Sequence, residues 1–116
     1  MIKRRDAMAL EIRERMRDGA GSVEILHVFA KEDLRGRARL FARLKLGAGS
    51  SIGYHVHDRE EEVFYILSGK GKLTEEDGKS SDVGPGDAIL TGNGGGHSIE
   101  NTGSESLEIL AVILPF

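Results

Sequence analysis

Three histidines and a glutamate, divided between two short stretches about forty residues apart, constrain this chain more than any other feature. They can act together only in a fold that brings distant strands face to face. The first stretch runs Gly49-Ser-Ser-Ile-Gly-Tyr-His55-Val-His57-Asp-Arg-Glu-Glu-Glu62-Val-Phe-Tyr-Ile-Leu-Ser-Gly69. The second runs Gly86-Asp-Ala-Ile-Leu-Thr-Gly92-Asn-Gly94-Gly-Gly-His97-Ser-Ile-Glu-Asn101. Alternate side chains of an extended segment share a face, so His55 and His57 point the same way and Val56 points opposite. After a turn at Asp58-Arg59, the β-branched and aromatic run Glu62 to Leu67 reads as a strand ending at Ser68-Gly69. If that strand returns antiparallel to the histidine strand, Glu62 lies opposite the two imidazoles. His97 must then arrive from a strand distant in sequence, which requires a closed sheet.

Three neutral imidazoles and one carboxylate form a borderline nitrogen and oxygen donor set. Such a set suits one divalent transition metal (Mn, Fe, Co, Ni or Zn) better than Ca or Mg. Four protein donors on an ion that accepts six leave positions for water or a substrate.

The residues resemble the cupin family. The first stretch fits G-x5-H-x-H-x4-E-x6-G at Gly49, His55, His57, Glu62 and Gly69. The second fits G-x5-P-x-G-x2-H-x3-N at Gly86, Gly94, His97 and Asn101, with Gly92 standing where the family usually has proline. The resemblance spans most of the chain, from the strand before Gly49 to the C-terminus. It implies a jelly-roll barrel and assigns His55, His57, Glu62 and His97 as metal ligands. Glu60 and Glu61 are rival carboxylates; Glu62 has the motif's separation from Gly69, and Glu60 shares its parity while Glu61 does not. The missing proline, together with the run Gly92 to Gly96, implies a loop before His97 more mobile than the family norm.

With 116 residues, 39% of them hydrophobic, the chain makes one compact domain. Sixteen glycines, two prolines and no tryptophan indicate short elements, tight turns and an aliphatic core, hence an all-β fold. Residues 1–17 carry six basic and three acidic side chains, although the whole chain has a formal charge of -3. That basic start reads as a solvated arm, not a nucleic-acid contact, because the remaining body is acidic. The absence of cysteine excludes disulfides, thiolate metal sites and cysteine nucleophiles. No apolar run approaches the ~18 residues of a membrane span, and Met1-Ile-Lys-Arg-Arg5 leads into charged residues with no apolar signal segment. A cytoplasmic protein with no membrane partner is the expectation.

Met8, Ile12 and Met16 recur at helical spacing over Asp6 to Arg17, and Gly19-Ala-Gly21 would end a helix. Residues 1–21 are therefore read as an arm or short helix, and 22–116 as the barrel. Ser22 to Phe29 reads as a strand, and Lys31 to Leu34 as one helical turn. Arg39 to Leu46 alternates, with Leu40, Ala42, Leu44 and Leu46 on one face and Arg39, Phe41, Arg43 and Lys45 on the other. Short strands follow around Tyr54–His57, Glu62–Leu67, Gly71–Thr74, Lys79–Val83, Ala88–Thr91, His97–Glu100 and Leu107–Leu114, with a hairpin turn at Glu76-Asp-Gly78.

His27, in an apolar strand, reads as a satisfied sheet histidine or one at a subunit contact, not a fifth ligand. Asn101 reads as a brace at the end of the His97 strand. No helix follows the glycine run, so it is not a phosphate-cradling loop. Phe64 and Ile66 share the parity of Glu62 and would line a dry pocket beside the metal, with Tyr54 at its mouth or rim. The resemblance implies a small-molecule metalloenzyme acting on an oxygen-rich acid or a sugar, by decarboxylation, oxidation or dioxygenation, or isomerisation. The alternative is a non-catalytic module in which the metal holds a small ligand. No general acid or base stands out beyond the ligands, with Tyr54, Glu60 and Glu61 as nearby candidates. The manganese enzymes of the family that act on oxalate carry an arginine three residues before the first histidine ligand; here that residue is Ile52. Arg39, Arg43 and Lys45 are the candidate replacement cations. The spare charged face and the basic arm point to a homodimer.

Overall fold

The computed structural model describes residues 1–116. Ten strands form two antiparallel sheets with almost no helix: β1 (Ala9–Glu14), β2 (Ser22–His27), β3 (Leu40–Leu46), β4 (Ser51–Val56), β5 (Glu60–Ser68), β6 (Gly71–Glu75), β7 (Ser80–Val83), β8 (Ala88–Gly92), β9 (Gly96–Asn101) and β10 (Leu107–Pro115). One sheet has six strands in the order β1-β2-β3-β10-β5-β8, the other four in the order β4-β9-β6-β7. Their facing surfaces make the jelly roll that the family resemblance implied.

Alternation explains why these segments become strands. Along β3, Ala42, Leu44 and Leu46 are buried, and along β10, Leu107, Ile109, Ala111 and Ile113 are buried. Thirteen such residues from both sheets form one core, with Phe64, Ile66, Leu73 and Ile99 among them. Each buried aliphatic side chain contributes ~1.5–3 kcal/mol relative to exposure.

The N-terminal segment departs from its helical spacing. Single 3-10 turns at Arg5–Ala7 and Met16–Asp18 flank a strand, β1, which pairs with β2 along its whole length, from Ala9 opposite His27 to Glu14 opposite Ser22. The open edge of β2 offers six residues of ladder, and those hydrogen bonds outweigh the weak preference of a short isolated helix. His27 is satisfied, as expected: its Nε2 lies 3.0 Å from Oε1 of Glu11 on β1.

The sheets are also partitioned differently from the simple hairpin expected of the first motif. β5 does not pair with β4. Arg59, in the left-handed region at φ 56, carries the chain out of the four-stranded sheet and into the six-stranded one, where β5 lies between β10 and β8. Gly69 closes β5 at φ 86, and a Cβ there would lie 2.4 Å from the Ser106 carbonyl oxygen, so no other residue fits that turn.

Candidate metal centre

β4 supplies the first two imidazoles, and a bulge sets which way they face. Ile52 pairs with Ile99, but His55 pairs with His97, so three steps on β4 match two on β9. The extra residue turns Ile52 and His55 to the same interior face. His55 and His97 are thus cross-strand neighbours within one sheet. Glu62 comes from the opposite sheet and meets the imidazoles across the barrel, the reverse of the arrangement expected from a β4-β5 hairpin.

The donor atoms of His55, His57, Glu62 and His97 all lie within 4.8 Å of one another. The Nε2 atom of His97 is 3.1 Å from Nε2 of His55 and 3.2 Å from Nε2 of His57. Oε1 of Glu62 lies 2.9 Å from Nε2 of His57, 3.0 Å from Nε2 of His97 and 3.9 Å from Nε2 of His55. The side chains are almost sealed from solvent, with His97 1%, His57 2% and Glu62 5% exposed; His55, at 9%, is the most accessible.

Proton bookkeeping shows what this cluster lacks. Nδ1 of His55 donates to the Gly53 carbonyl at 2.8 Å, and Nδ1 of His57 donates to Oε2 of Glu60 at 2.6 Å. Both Nε2 atoms then carry lone pairs turned inward. Oε1 of Glu62 is buried and accepts no hydrogen bond, although nitrogen atoms surround it. At most one proton, on Nε2 of His97, is left to serve four converging acceptors. A divalent cation satisfies all four, so the residues fit a metal.

The electrostatics agree. Burial pushes the Glu62 carboxyl up, but the His55, His57 and His97 rings gathered around it outweigh that and hold Glu62 well below the usual carboxylate range. The neighbouring Glu62 carboxylate raises the His57 imidazole against the opposing effect of burial. Burial dominates at His97 and lowers it, favouring the neutral ring that a metal needs.

Phe64 stacks on the His97 ring, with centroids 4.9 Å apart and planes inclined by 15°. Ile66 is fully buried in the core beyond it. Tyr54 lies on the other face of β4 from the imidazoles; it is half exposed and packs over Gly96, where an added Cβ would meet its hydroxyl. Its position therefore differs from the expected pocket rim: Tyr54 alternates regularly with His55 and so faces outward, and the bulge instead turns Ile52 inward. None of the four principal surface cavities is lined by the four donors.

The glycine run before His97 is tied down. Asn93 (φ 55) and Gly94 (φ 86) form a type I′ turn closed by Gly95 N–H donating to the Gly92 carbonyl at 3.0 Å. Gly94 N–H donates to the His57 carbonyl at 2.9 Å, and His57 N–H to the Gly95 carbonyl at 3.0 Å. The loop thus locks β4 and β9 beside the donors. The Asn-Gly pair was the available turn signal. Gly92 is required by close approach to β5: a Cβ there would lie 2.7 Å from the Glu60 carbonyl oxygen and from the Glu61 Cα.

Asn101 is 2% exposed and braces the end of β9, as its position suggested. Its Nδ2 donates to the carbonyls of Leu46 at 2.9 Å and Glu105 at 2.8 Å, and its Oδ1 accepts from Gly103 N–H at 2.9 Å. Sequence reasoning missed Arg39 as a partner of the site: it forms two hydrogen bonds to Glu60, each 2.8 Å. It also missed Thr91, a buried hydroxyl without a partner, which lies directly across the strand pair from Glu62.

The family model described as a cupin domain matches residues 42–113, which carry all four donors. The chain belongs to the cupin family. It is 46% identical over 114 residues to an oxalate-binding protein of Thermotoga maritima, covering 98% of this chain and 93% of the relative. A crystal structure from Thermotoga maritima, described as a predicted oxalate decarboxylase, superposes with a TM-score of 0.93 at 45% identity over the full length of both chains. An uncharacterized protein of Methanocaldococcus jannaschii is 33% identical over 99 residues, or 85% of this chain and 76% of the relative.

Proposed function

We propose that this cupin holds one divalent transition metal through His55, His57, Glu62 and His97 and uses it to capture a small oxygen-rich acid, with oxalate as the leading ligand. The carrying observation is the convergence of four buried acceptor atoms with at most one proton among them. The choice of ligand class follows the relative named for oxalate binding. A bound Mn, Fe, Co, Ni or Zn ion supplies Lewis acidity, or oxygen chemistry if it is redox active. The chain's own residues do the rest: Phe64 orients His97, Ile66 and Ile52 keep the surroundings dry, and His55, at 9% exposure, is the donor most open to an incoming ligand.

Catalysis is the second reading, favoured by the structural relative described as a predicted oxalate decarboxylase. Against rapid decarboxylation stands Ile52, 1% exposed and directed inward, where an arginine would clamp a carboxylate with paired charge-assisted bonds. The replacement cations are committed elsewhere. Arg39 is held by Glu60, Arg43 lies 3.2 Å from Glu108, and Lys45 is on the outer face of β3 with Arg43. Tyr54 faces outward, Glu60 is engaged by His57 and Arg39, and Glu61 lies on the face of β5 opposite to Glu62, which leaves none of the three candidates free and directed at the donors.

Calorimetry with manganese-loaded and chelator-treated protein tests the proposal. Oxalate should bind only the loaded form, with weak or absent carbon dioxide release. Equal binding to both forms contradicts the capture reading. Robust carbon dioxide release, abolished in His55→Ala, would establish the catalytic reading instead.

A cytoplasmic location and a second copy of the chain as partner belong to the same proposal. The outer face of the six-stranded sheet exposes Leu10, Tyr65, Leu67 and Leu90, an apolar surface suited to an isologous contact. Light scattering should give twice the 12.6 kDa chain mass, and a monomer mass across a wide concentration range would refute the dimer.

A further inference from the structure

Glu60 shares the parity of Glu62 and begins the same strand, yet its carboxylate lies behind the His57 ring. Oε2 accepts from Nδ1 of His57 at 2.6 Å, the far side of the imidazole from the donor cluster. The same carboxylate is gripped in a two-pronged geometry by Arg39, Nε to Oε1 and Nη2 to Oε2, each at 2.8 Å. Arg39 is itself anchored, its backbone N–H donating to the Ile113 carbonyl at 3.0 Å. The chain Arg39–Glu60–His57 therefore ties the start of β3, the start of β5 and the end of the β4 segment to one ring.

Its chemistry is directional. A carboxylate paired with a guanidinium offers only acceptors, so Nδ1 of His57 must carry the ring proton and Nε2 must present a lone pair. The other imidazoles are held differently. A backbone carbonyl, Gly53, fixes His55, while Nδ1 of His97 has no partner and its ring is placed by stacking on Phe64. His57 alone depends on side chains for its tautomer.

We infer that Arg39 and Glu60 are positioning residues for the metal, setting the tautomer and orientation of His57 without touching the ion. This rests on the reading of the four donors as a metal site. Partners of this kind orient ligating imidazoles and raise their basicity, and losing them typically costs about 10–100-fold in metal affinity.

The test compares Glu60→Gln, Glu60→Asp, Arg39→Gln and the double variant Arg39→Gln/Glu60→Gln with wild type in two measurements. The first is ¹⁵N NMR of the chelator-treated proteins, which reads the His57 tautomer without any metal. In Glu60→Gln, Arg39 attracts the amide oxygen and turns the NH2 group toward Nδ1, so the proton should move from Nδ1 to Nε2. The second is Co²⁺ titration: Glu60→Gln should lose at least ~10-fold in affinity, Glu60→Asp should recover part of it, and Arg39→Gln should add nothing in the Glu60→Gln background. Wild-type tautomer and affinity within about twofold in Glu60→Gln would overturn the inference, as would independent losses in the double variant. If wild type itself fails to bind Co²⁺ stoichiometrically, the metal reading falls and this inference with it; NMR shifts alone would then report only local hydrogen bonding. A variant that fails to fold is replaced by Glu60→Asp, whose shorter arm must still lengthen the contact to Nδ1 and weaken Co²⁺ binding.

Discussion

Replacing Asn101 with alanine separates a structural brace from a catalytic group. The side chain makes three hydrogen bonds, to the carbonyls of Leu46 and Glu105 and from the amide of Gly103, and it is 2% exposed. Each such bond contributes ~1 kcal/mol net, and a buried partner left unpaired costs about as much or more. The expected loss is therefore about 3 kcal/mol. For a domain of this size that corresponds to a fall in Tm of roughly 12 °C. The assay is thermal unfolding by circular dichroism on chelator-treated wild type and Asn101→Ala, so that metal linkage does not mask the difference. Metal stoichiometry, measured separately at low temperature, should stay at the wild-type value, because Asn101 supplies no donor. A Tm within about 3 °C of wild type, or a stable variant that has lost its metal, would refute the argument.

Three further outcomes follow from the same geometry. Installing the proline usual in the family, Gly92→Pro, should destabilise the protein by ~1–3 kcal/mol in urea unfolding, since the added atoms meet the β5 backbone; wild-type stability would contradict this. Arg39, the largest cause, holds the Glu60 carboxyl at about 2 against an ordinary 4.5, so the unfolded chain takes up this proton first and the stabilisation is full above pH 4.5 and lost as pH falls through about 2. Exposure of Arg39 limits that contribution to ~1 kcal/mol, and Arg39→Gln should flatten the acid limb of the stability curve of the metal-free protein. Because ligating imidazoles must be unprotonated, Co²⁺ affinity should fall as pH drops through the histidine range, and a flat profile from about pH 7.5 to 5 would argue against imidazole ligation.

Much of the barrel was legible because its strands alternate, as Leu40, Ala42, Leu44 and Leu46 do on β3. The donor set was legible because two motifs keep their order and spacing. What escaped sequence reasoning has common physical causes. Met8, Ile12 and Met16 carry a helical period, but β1 is decided by the open edge of β2, a tertiary fact that local spacing does not carry. Glu62 and the β4 imidazoles looked like hairpin neighbours because only four residues separate His57 from Glu62, yet the left-handed Arg59 sends the chain to the other sheet. The β4 bulge inverts the parity of Ile52 relative to His55, so strict alternation counted back from the histidines would turn Ile52 outward. Arg39 lies 21 residues from Glu60, and nothing local to either residue announces their pairing.

The central claim is that His55, His57, Glu62 and His97 jointly hold one metal ion. Elemental analysis of purified protein against single alanine substitutions at each position tests it most directly. The expected result is close to one equivalent of a divalent transition metal in wild type and a sharp loss in every variant. Undiminished stoichiometric metal in folded His57→Ala or His97→Ala would contradict it.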